Sequence, residues 1–339
     1  MNNLNGNGKY LPKTVGIVYS DVQKKYFPSR QAYLTEKDAK KEAQSMAKYL
    51  EKIGIKPFLF AGNDTLPKLL KENRPQVVIN LVDSFKGIDY MASAIPGVLD
   101  LLEIPYTGAG ILGQSLNYNK FLTKKLFEQN GIPVPRYQLM YSYKEPLDST
   151  LRYPLITKLN GIHGAVEITF DSISFNEKHL RQRVKHMTTT YDQPVLIEEF
   201  IVGREISAAL LEGLNKKVYM GEILIDYPGD HTYSFKSFEL QWQSKYQNAI
   251  KYQKYNDPIL VEYVKKAFNI ADMADYARFD IRLDNSGRYF FIDANTNPYI
   301  GPLADESPFT RILDLYDVSF TEILKRLLIN TVKELGVKV

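Results

Sequence analysis

Two short alternating segments near the C-terminal end constrain this chain most: Arg278-Phe279-Asp280-Ile281-Arg282 and Phe291-Ile292-Asp293-Ala294-Asn295-Thr296-Asn297-Pro298, with the turn Asp284-Asn285-Ser286-Gly287 between them. Period-two alternation around a turn specifies an antiparallel hairpin, because successive side chains of a strand point to opposite faces. Arg278, Asp280 and Arg282 then share one face, and Phe291, Asp293 and Asn295 share one face of the return strand. If those faces coincide, two carboxylates, an amide oxygen and an arginine converge. Such hard oxygen ligands, with no His or Cys, suit Mg²⁺ (or Mn²⁺) carrying phosphate rather than Zn²⁺. Parity fixes the register. A two-residue loop at Asn285-Ser286 pairs Asp280 with Phe291 and leaves Asp293 opposite Arg278. A three-residue loop pairs Asp280 with Ile292 and turns the ligands to opposite faces. The expected register is the first, or a four-residue loop of the same parity.

The 339 residues suffice for two or three packed units, and the 44% hydrophobic, 24% charged composition is that of a soluble globular chain. A net charge of +4 is too mild to argue for nucleic acid. The absence of cysteine excludes disulfides, thiolate catalysis and Cys-ligated metals. The start, Met1-Asn2-Asn3-Leu4-Asn5-Gly6, has no signal-peptide core, and no apolar run approaches a membrane span of roughly 18–20 residues. The expected location is cytoplasmic, without a membrane partner.

From Thr14 to about Gly108 the chain alternates strand and helix. Thr14–Tyr19, Lys56–Phe60 and Val77–Leu81 read as strands. Thr35-Glu36-Lys37-Asp38 reads as a capping box before a helix faced by Ala39, Ala43, Met46, Ala47, Leu50 and Ile53. That rhythm implies a parallel sheet with helices on it. A helix over Asn119–Asn130 follows, then strands Pro154–Leu159 and Val195–Ile201 around a helix near Glu177. Strands Glu205–Leu211 and Lys217–Ile225, a helix Pro258–Ile270, the hairpin and a last helix from Phe320 complete the chain. Asp226–Asp257 is polar and Tyr-rich with little periodicity, as in a functional loop.

Lys158 closes an apolar strand and precedes Asn160-Gly161-Ile162-His163-Gly164-Ala165, small residues that let backbone N–H groups approach phosphate. Lys120 sits in a first helical turn, where a cation opposes the helix dipole. Glu198-Glu199-Phe200-Ile201-Val202-Gly203-Arg204-Glu205 offers carboxylates and backbone groups for a purine edge and ribose. His163 is one of four histidines, read as structural or as a base.

In order, these segments resemble the ATP-grasp superfamily, most closely its D-alanine–D-alanine ligase-like branch. Leu101-Leu102-Glu103-Ile104-Pro105-Tyr106-Thr107-Gly108 is similar to that branch's hinge, and Asn119-Lys120 precedes Lys124 with its spacing. Asn130-Gly131-Ile132-Pro133-Val134-Pro135, the Lys158 strand, Glu198–Glu205 and Asp280 with Asp293-Ala294-Asn295-Thr296 complete the series. The resemblance implies an α/β three-domain ATP-grasp fold: an N-terminal parallel-sheet domain (1–113), a central lid (114–199) and a C-terminal domain (200–339). It implies ATP held by Lys120, Lys158, Glu198, Phe200, Ile201 and Glu205. It implies Mg²⁺ on Asp280, Asp293 and Asn295, with Arg278 and Lys245 as catalytic residues. Lys245-Tyr246 would be the pair on the closing loop. A homodimer is usual for the branch.

Departures fall in the amino-acid half. Tyr19-Ser20-Asp21-Val22-Gln23 stands where a Gly-Gly-x-Ser-x-Glu segment is usual. Leu81–Asp89 replaces the His-Gly…Gly-Glu-Asp-Gly segment. Pro298-Tyr299-Ile300-Gly301-Pro302 replaces a Gly-Met-Thr loop, His163-Gly164-Ala165 replaces paired serines, and Asp293 replaces Glu. The expected activity is an ADP-forming carboxylate–amine ligase acting on an amino acid or small peptide-like acid and an amine other than D-alanine. Two alternatives stay open: a genuine D-alanine–D-alanine ligase with divergent substrate loops, and a non-catalytic nucleotide-binding protein.

Overall fold

A computed structural model describes residues 4–5, 9–212, 217–225, 233–243 and 249–334. The N-terminal unit is the expected parallel sheet, in the order Lys56–Gly62, Thr14–Ser20, Val77–Leu81. Helix Ala39–Lys52 lays Ala43, Met46 and Leu50 on it. The expected capping box is not used. Thr35 and Glu36 end a preceding helix, Arg30–Glu36, capped by Ser29, and Asp38 makes no side-chain cap bond. Glu36 is instead buried, accepting from Ser84 Oγ at 2.8 Å.

The central unit is an antiparallel sheet ordered Tyr137–Met140, Val195–Glu199, Leu155–Leu159, Ile173–Ser174, backed by helix Glu177–Tyr191. The large sheet is also antiparallel: Ile250–Lys254, Lys217–Ile225, Gly203–Leu211, Tyr276–Asp284, Tyr289–Asn295. One face packs on helix Pro258–Ile270 through Ile206, Ala208 and Leu210. The other packs on Pro308–Asp314 and Phe320–Glu334 through Ala209 and Leu211, in a core that continues to Val15, Ile17 and Leu50 of the N-terminal sheet. Among the described residues of the segment Asp226–Asp257, helix Phe238–Trp242 and the edge strand Ile250–Lys254 are regular. An edge strand needs little apolar content, which is why the sequence pattern was weak there. Lys245 and Tyr246 lie outside the described residues. Among the described residues, no helix is long and apolar enough to cross a membrane.

The hairpin corrects the expected register. Asp284 N donates to Arg288 O at 3.0 Å, so the loop is the three-residue Asn285-Ser286-Gly287. Leu283 then pairs with Tyr289 and Ile281 with Phe291, the slipped register. A β-bulge restores the site: Ile292 is passed over, Asp280 pairs directly with Asp293, and Arg278 pairs with Asn295. The physical reason lies in the side chains. Tyr289 and Phe291 belong to the core, whereas Asp293 and Asn295, of the same parity, border a cleft. Without an extra residue, one pair would face the wrong medium. Each large apolar side chain buried is worth about 1.5–3 kcal/mol, and an unpaired buried charge costs more than that.

The loop after Lys158 is fastened to the N-terminal unit. Asp89 Oδ2 accepts from His163 N at 2.9 Å and meets His163 Nδ1 at 2.6 Å. Gly164, at φ +72°, comes so close to helix Arg30–Glu36 that an added Cβ would lie 2.5 Å from Thr35. Burial alone would lower the His163 pKa, but Asp89, Asp83 and Glu36 raise it to about 10. His163 is therefore a held imidazolium rather than a base. Burial raises Glu36 to about 7, against the pull of His163. A carboxyl raised in the folded state binds its proton more tightly than the unfolded chain does, so stability falls as pH rises from 4.5 to about 7. Glu36→Gln, which keeps a partner for Ser84, should lose less Tm than the parent between these limits. Thermal unfolding at stepped pH checks this, and equal slopes would refute the burial of an ionisable Glu36.

Candidate active site

The face exposed by the bulge is built row by row. Glu205 opposes Arg282, Ser207 opposes Asp280, which opposes Asp293, and Ala209 opposes Arg278, which opposes Asn295. Ser207 Oγ donates to Asp280 Oδ1 at 2.9 Å, and Arg278 grips the same carboxylate through Nε at 3.2 Å and Nη2 at 3.0 Å. Burial alone would raise the Asp280 pKa, but Arg278 and then Lys236 hold it below the usual carboxylate range. Asn295 Nδ2 donates to the Arg278 carbonyl at 3.4 Å. Asp293 accepts only from the Ala294 N–H at 3.1 Å among the described residues. Two carboxylates and an amide oxygen thus stand on one face, a donor set that suits a hard divalent cation.

Across the cleft stands the central unit. Ile156 pairs with Glu198, which puts Lys158 diagonal to Glu198 on the same face of the sheet. Lys158 Nζ donates to Glu198 Oε2 at 2.9 Å and to the Ile292 carbonyl at 3.1 Å. That leaves the third ammonium N–H for a ligand. Lys124 Nζ makes an ion pair with Glu198 Oε1 at 3.0 Å. Burial alone would raise the Glu198 pKa, but the two lysines hold it down. Lys120 Nζ reaches the Ile162 carbonyl at 2.7 Å. Its helix, Lys120–Gln129, needs no anion at its start: Asn160 O and Oδ1 accept from Lys120 N and Phe121 N, and Asn119 Oδ1 accepts from Leu122 N.

The cleft between them encloses about 930 Å³, including its open mouth. Lys120, Lys158, Glu198, Phe200, Ile201, Glu205, Arg278, Asp280, Asp293 and Asn295 all border it. Every residue expected at the site and described is therefore in one place; Lys245 is not among the described residues. One wall is apolar, with Ile156, Ile168, Phe200 and Phe235 packed together and the two phenyl rings edge to face at 5.8 Å.

Three contributors were given no role at the site by the sequence reading. Lys236 borders the cleft and has no ion-pair partner among the described residues; burial, then Arg278, lower its pKa to about 8. Arg282, 3% exposed, donates to the carbonyls of Ile201, Gly203 and Ser234 and pairs with Glu205 at 3.3 Å. It lies over the Phe200 ring at 5.1 Å, so it shapes the segment Phe200–Glu205 from beneath. Lys124 is buried on the core side of its helix with Phe127. Its spacing after Asn119-Lys120 and a charge on an apolar stripe were the available signals for it. Lys236 carried none.

Comparisons place this geometry. The family model described as D-ala D-ala ligase C-terminus matches residues 126–329. An uncharacterized protein, y4sG, of Sinorhizobium fredii is 29% identical over 272 residues, 76% of this chain and 78% of that one. A D-alanine–D-alanine ligase of Carboxydothermus hydrogenoformans is 27% identical over 69% of this chain and 75% of its own length. A crystal structure of D-alanine–D-alanine ligase from Bacillus anthracis complexed with ATP superposes with a TM-score of 0.70 over 96% of this chain and all of that one, at 18% identity. The chain belongs to the D-Ala–D-Ala ligase C-terminal family, and it is an ATP-grasp ligase, an enzyme that forms a peptide-like C–N bond.

Proposed function

We propose that the enzyme joins the carboxylate of an amino acid or small peptide-like acid to an amine other than D-alanine, through an acyl phosphate, with release of ADP and phosphate. The observation that carries this reading is the single cleft in which four cationic side chains, Lys120, Lys158, Lys236 and Arg278, face an oxygen set, Asp280, Asp293 and Asn295, beside an apolar wall. The apolar wall of Ile156, Phe200 and Phe235 suits a purine ring, and the lysines suit a polyphosphate. Glu198, with both oxygens against lysines, serves to hold Lys158 in place. Asp280, Asp293 and Asn295 would hold Mg²⁺ or Mn²⁺, which when bound neutralises charge on the phosphates. Arg278 would stabilise the negative charge that builds up as the substrate carboxylate attacks the γ-phosphorus and as the amine nitrogen then displaces phosphate from the acyl carbon.

The amino-acid side supports a substrate other than D-alanine. The Pro298–Pro302 loop is bulky, with Tyr299 reaching Asp305 at 3.5 Å. The segment Leu81–Asp89 that replaces the usual one is tied elsewhere, Ser84 to the buried Glu36 and Asp89 to His163. The nucleotide-binding alternative without chemistry is disfavoured by Arg278 and the complete oxygen set. We place the domain limits near 113 and 199 and the enzyme in the cytoplasm. A phosphate-release screen over amino-acid pairs, with mass analysis of products, should give ATP turnover with some pairs and poor turnover with D-alanine alone. Efficient D-alanyl-D-alanine formation would promote the alternative.

Asp280→Ala and Asn295→Ala should each raise the Mg²⁺ concentration for half-maximal turnover by about tenfold or more, the scale of a lost ligand or its support. Unchanged metal dependence in both would sink the oxygen site. Lys236 should bind phosphate as its cation, which exists below pH about 8. Nucleotide affinity should therefore fall as pH passes that value, and Lys236→Arg should flatten the decline. Lys236→Met should weaken ATP binding about ten- to a hundredfold, the loss of one charge-assisted contact of about 1.5–3 kcal/mol. Calorimetric titration at pH 7 and 9 reads both.

A further inference from the structure

The bulge at Ile292 needs something to hold it. A bulged residue drops out of the ladder, and its buried carbonyl must find another donor. Here the donors are the ammonium groups of two lysines from the facing unit. Lys124 Nζ donates to Phe291 O at 3.1 Å and to Ile292 O at 3.4 Å, and Lys158 Nζ donates to Ile292 O at 3.1 Å. The two are not equivalent. Lys158 borders the cleft and has an N–H to give a ligand, whereas Lys124 does not border it. Lys124 is 4% exposed and lies in a small recess with Asn117, Thr123, Phe127 and Phe291. An ammonium placed there is costly even with Glu198, and more weakly Asp293, to neutralise it, and burial lowers its pKa despite those carboxylates. A leucine or methionine would fill the recess at less cost. The contact with the bulge is what the charge provides.

We propose that Lys124 is a positioning residue that keeps the Ile292 bulge in place, and thereby keeps Asp293 and Asn295 turned toward Asp280, so that it sets divalent-cation affinity without touching the cation. The inference rests on the reading that Asp280, Asp293 and Asn295 form the cation site.

The test is Mn²⁺ binding, followed by electron paramagnetic resonance in the presence of a non-hydrolysable ATP analogue, with binding of the analogue alone measured in parallel. Lys124→Met should weaken Mn²⁺ by about tenfold or more, the range for residues that orient metal ligands, while metal-free analogue affinity changes far less. Lys124→Met leaves Glu198 with one lysine and could fail to fold, so a second comparison is made between Glu198→Gln and the double variant Glu198→Gln/Lys124→Met, in which the unbalanced carboxylate is gone. The double variant should bind Mn²⁺ more weakly than Glu198→Gln alone. Equal Mn²⁺ affinity within either pair overturns the proposal, as does an equal loss of Mn²⁺ and of metal-free analogue. A parent enzyme that binds the analogue but no Mn²⁺ would refute the cation site itself, a failure visible before any variant is made.

Discussion

Glu198 is the charge on which the site depends. Fully buried, it would be untenable alone, and it is stabilised by Lys124 on one oxygen and Lys158 on the other. Removing one partner of such a buried set costs about 3–5 kcal/mol, because an uncompensated charge is left behind. The same two ammonium groups reach across to the backbone of the hairpin. One carboxylate on a strand of the central sheet therefore fixes the place of a cleft-bordering lysine and also braces the strand that carries Asp293 and Asn295. Arg282 does the corresponding work on the other side. It gathers three carbonyls and Glu205 and holds the chain that passes from the central to the large sheet.

The cleft consequently has two chemically distinct walls drawn from different sheets. Cations on strand ends and a helix start face carboxylates on a three-strand ladder. Neither wall is neutral by itself, and the pairs that cross between neighbouring residues leave Lys120 and Lys236 without carboxylate partners among the described residues. That residual positive charge, next to an apolar pocket, is what supports the proposed polyanion site over a network that only holds the fold together.

Much of this was legible in the sequence, for a physical reason: period-two alternation with charged residues on one face reports both a strand and its unusual surface. Asp280, Asp293 and Asn295 were singled out that way, whereas Lys158 was read from the end of an apolar strand and Glu198 from the acidic segment that joins two strands. The hairpin register was not. Yet the phase break was present in Tyr289-Phe290-Phe291-Ile292-Asp293-Ala294-Asn295, where apolar and acidic residues share odd positions and only an inserted residue can send them to different faces. The capping box failed because Thr35 lies inside a preceding helix capped by Ser29, where its Oγ1 donates to the Ala32 carbonyl and cannot start the next helix. Lys236 was invisible because its neighbours follow no period. Arg282 looked like one more polar residue on the site face, and its role depends on a loop bringing carbonyls to it.

Gly164 has a consequence for modular exchange. Its backbone passes so near Thr35 that no side chain fits between, and its neighbour His163 is tied to Asp89. The loop that lies over the cleft and the helix Arg30–Glu36 are thus cut to one another's shape. Anyone grafting a different N-terminal unit onto this catalytic half, to change what it accepts, would have to transplant residues 160–168 with it. The seam between interchangeable parts does not follow the boundary between the sheets.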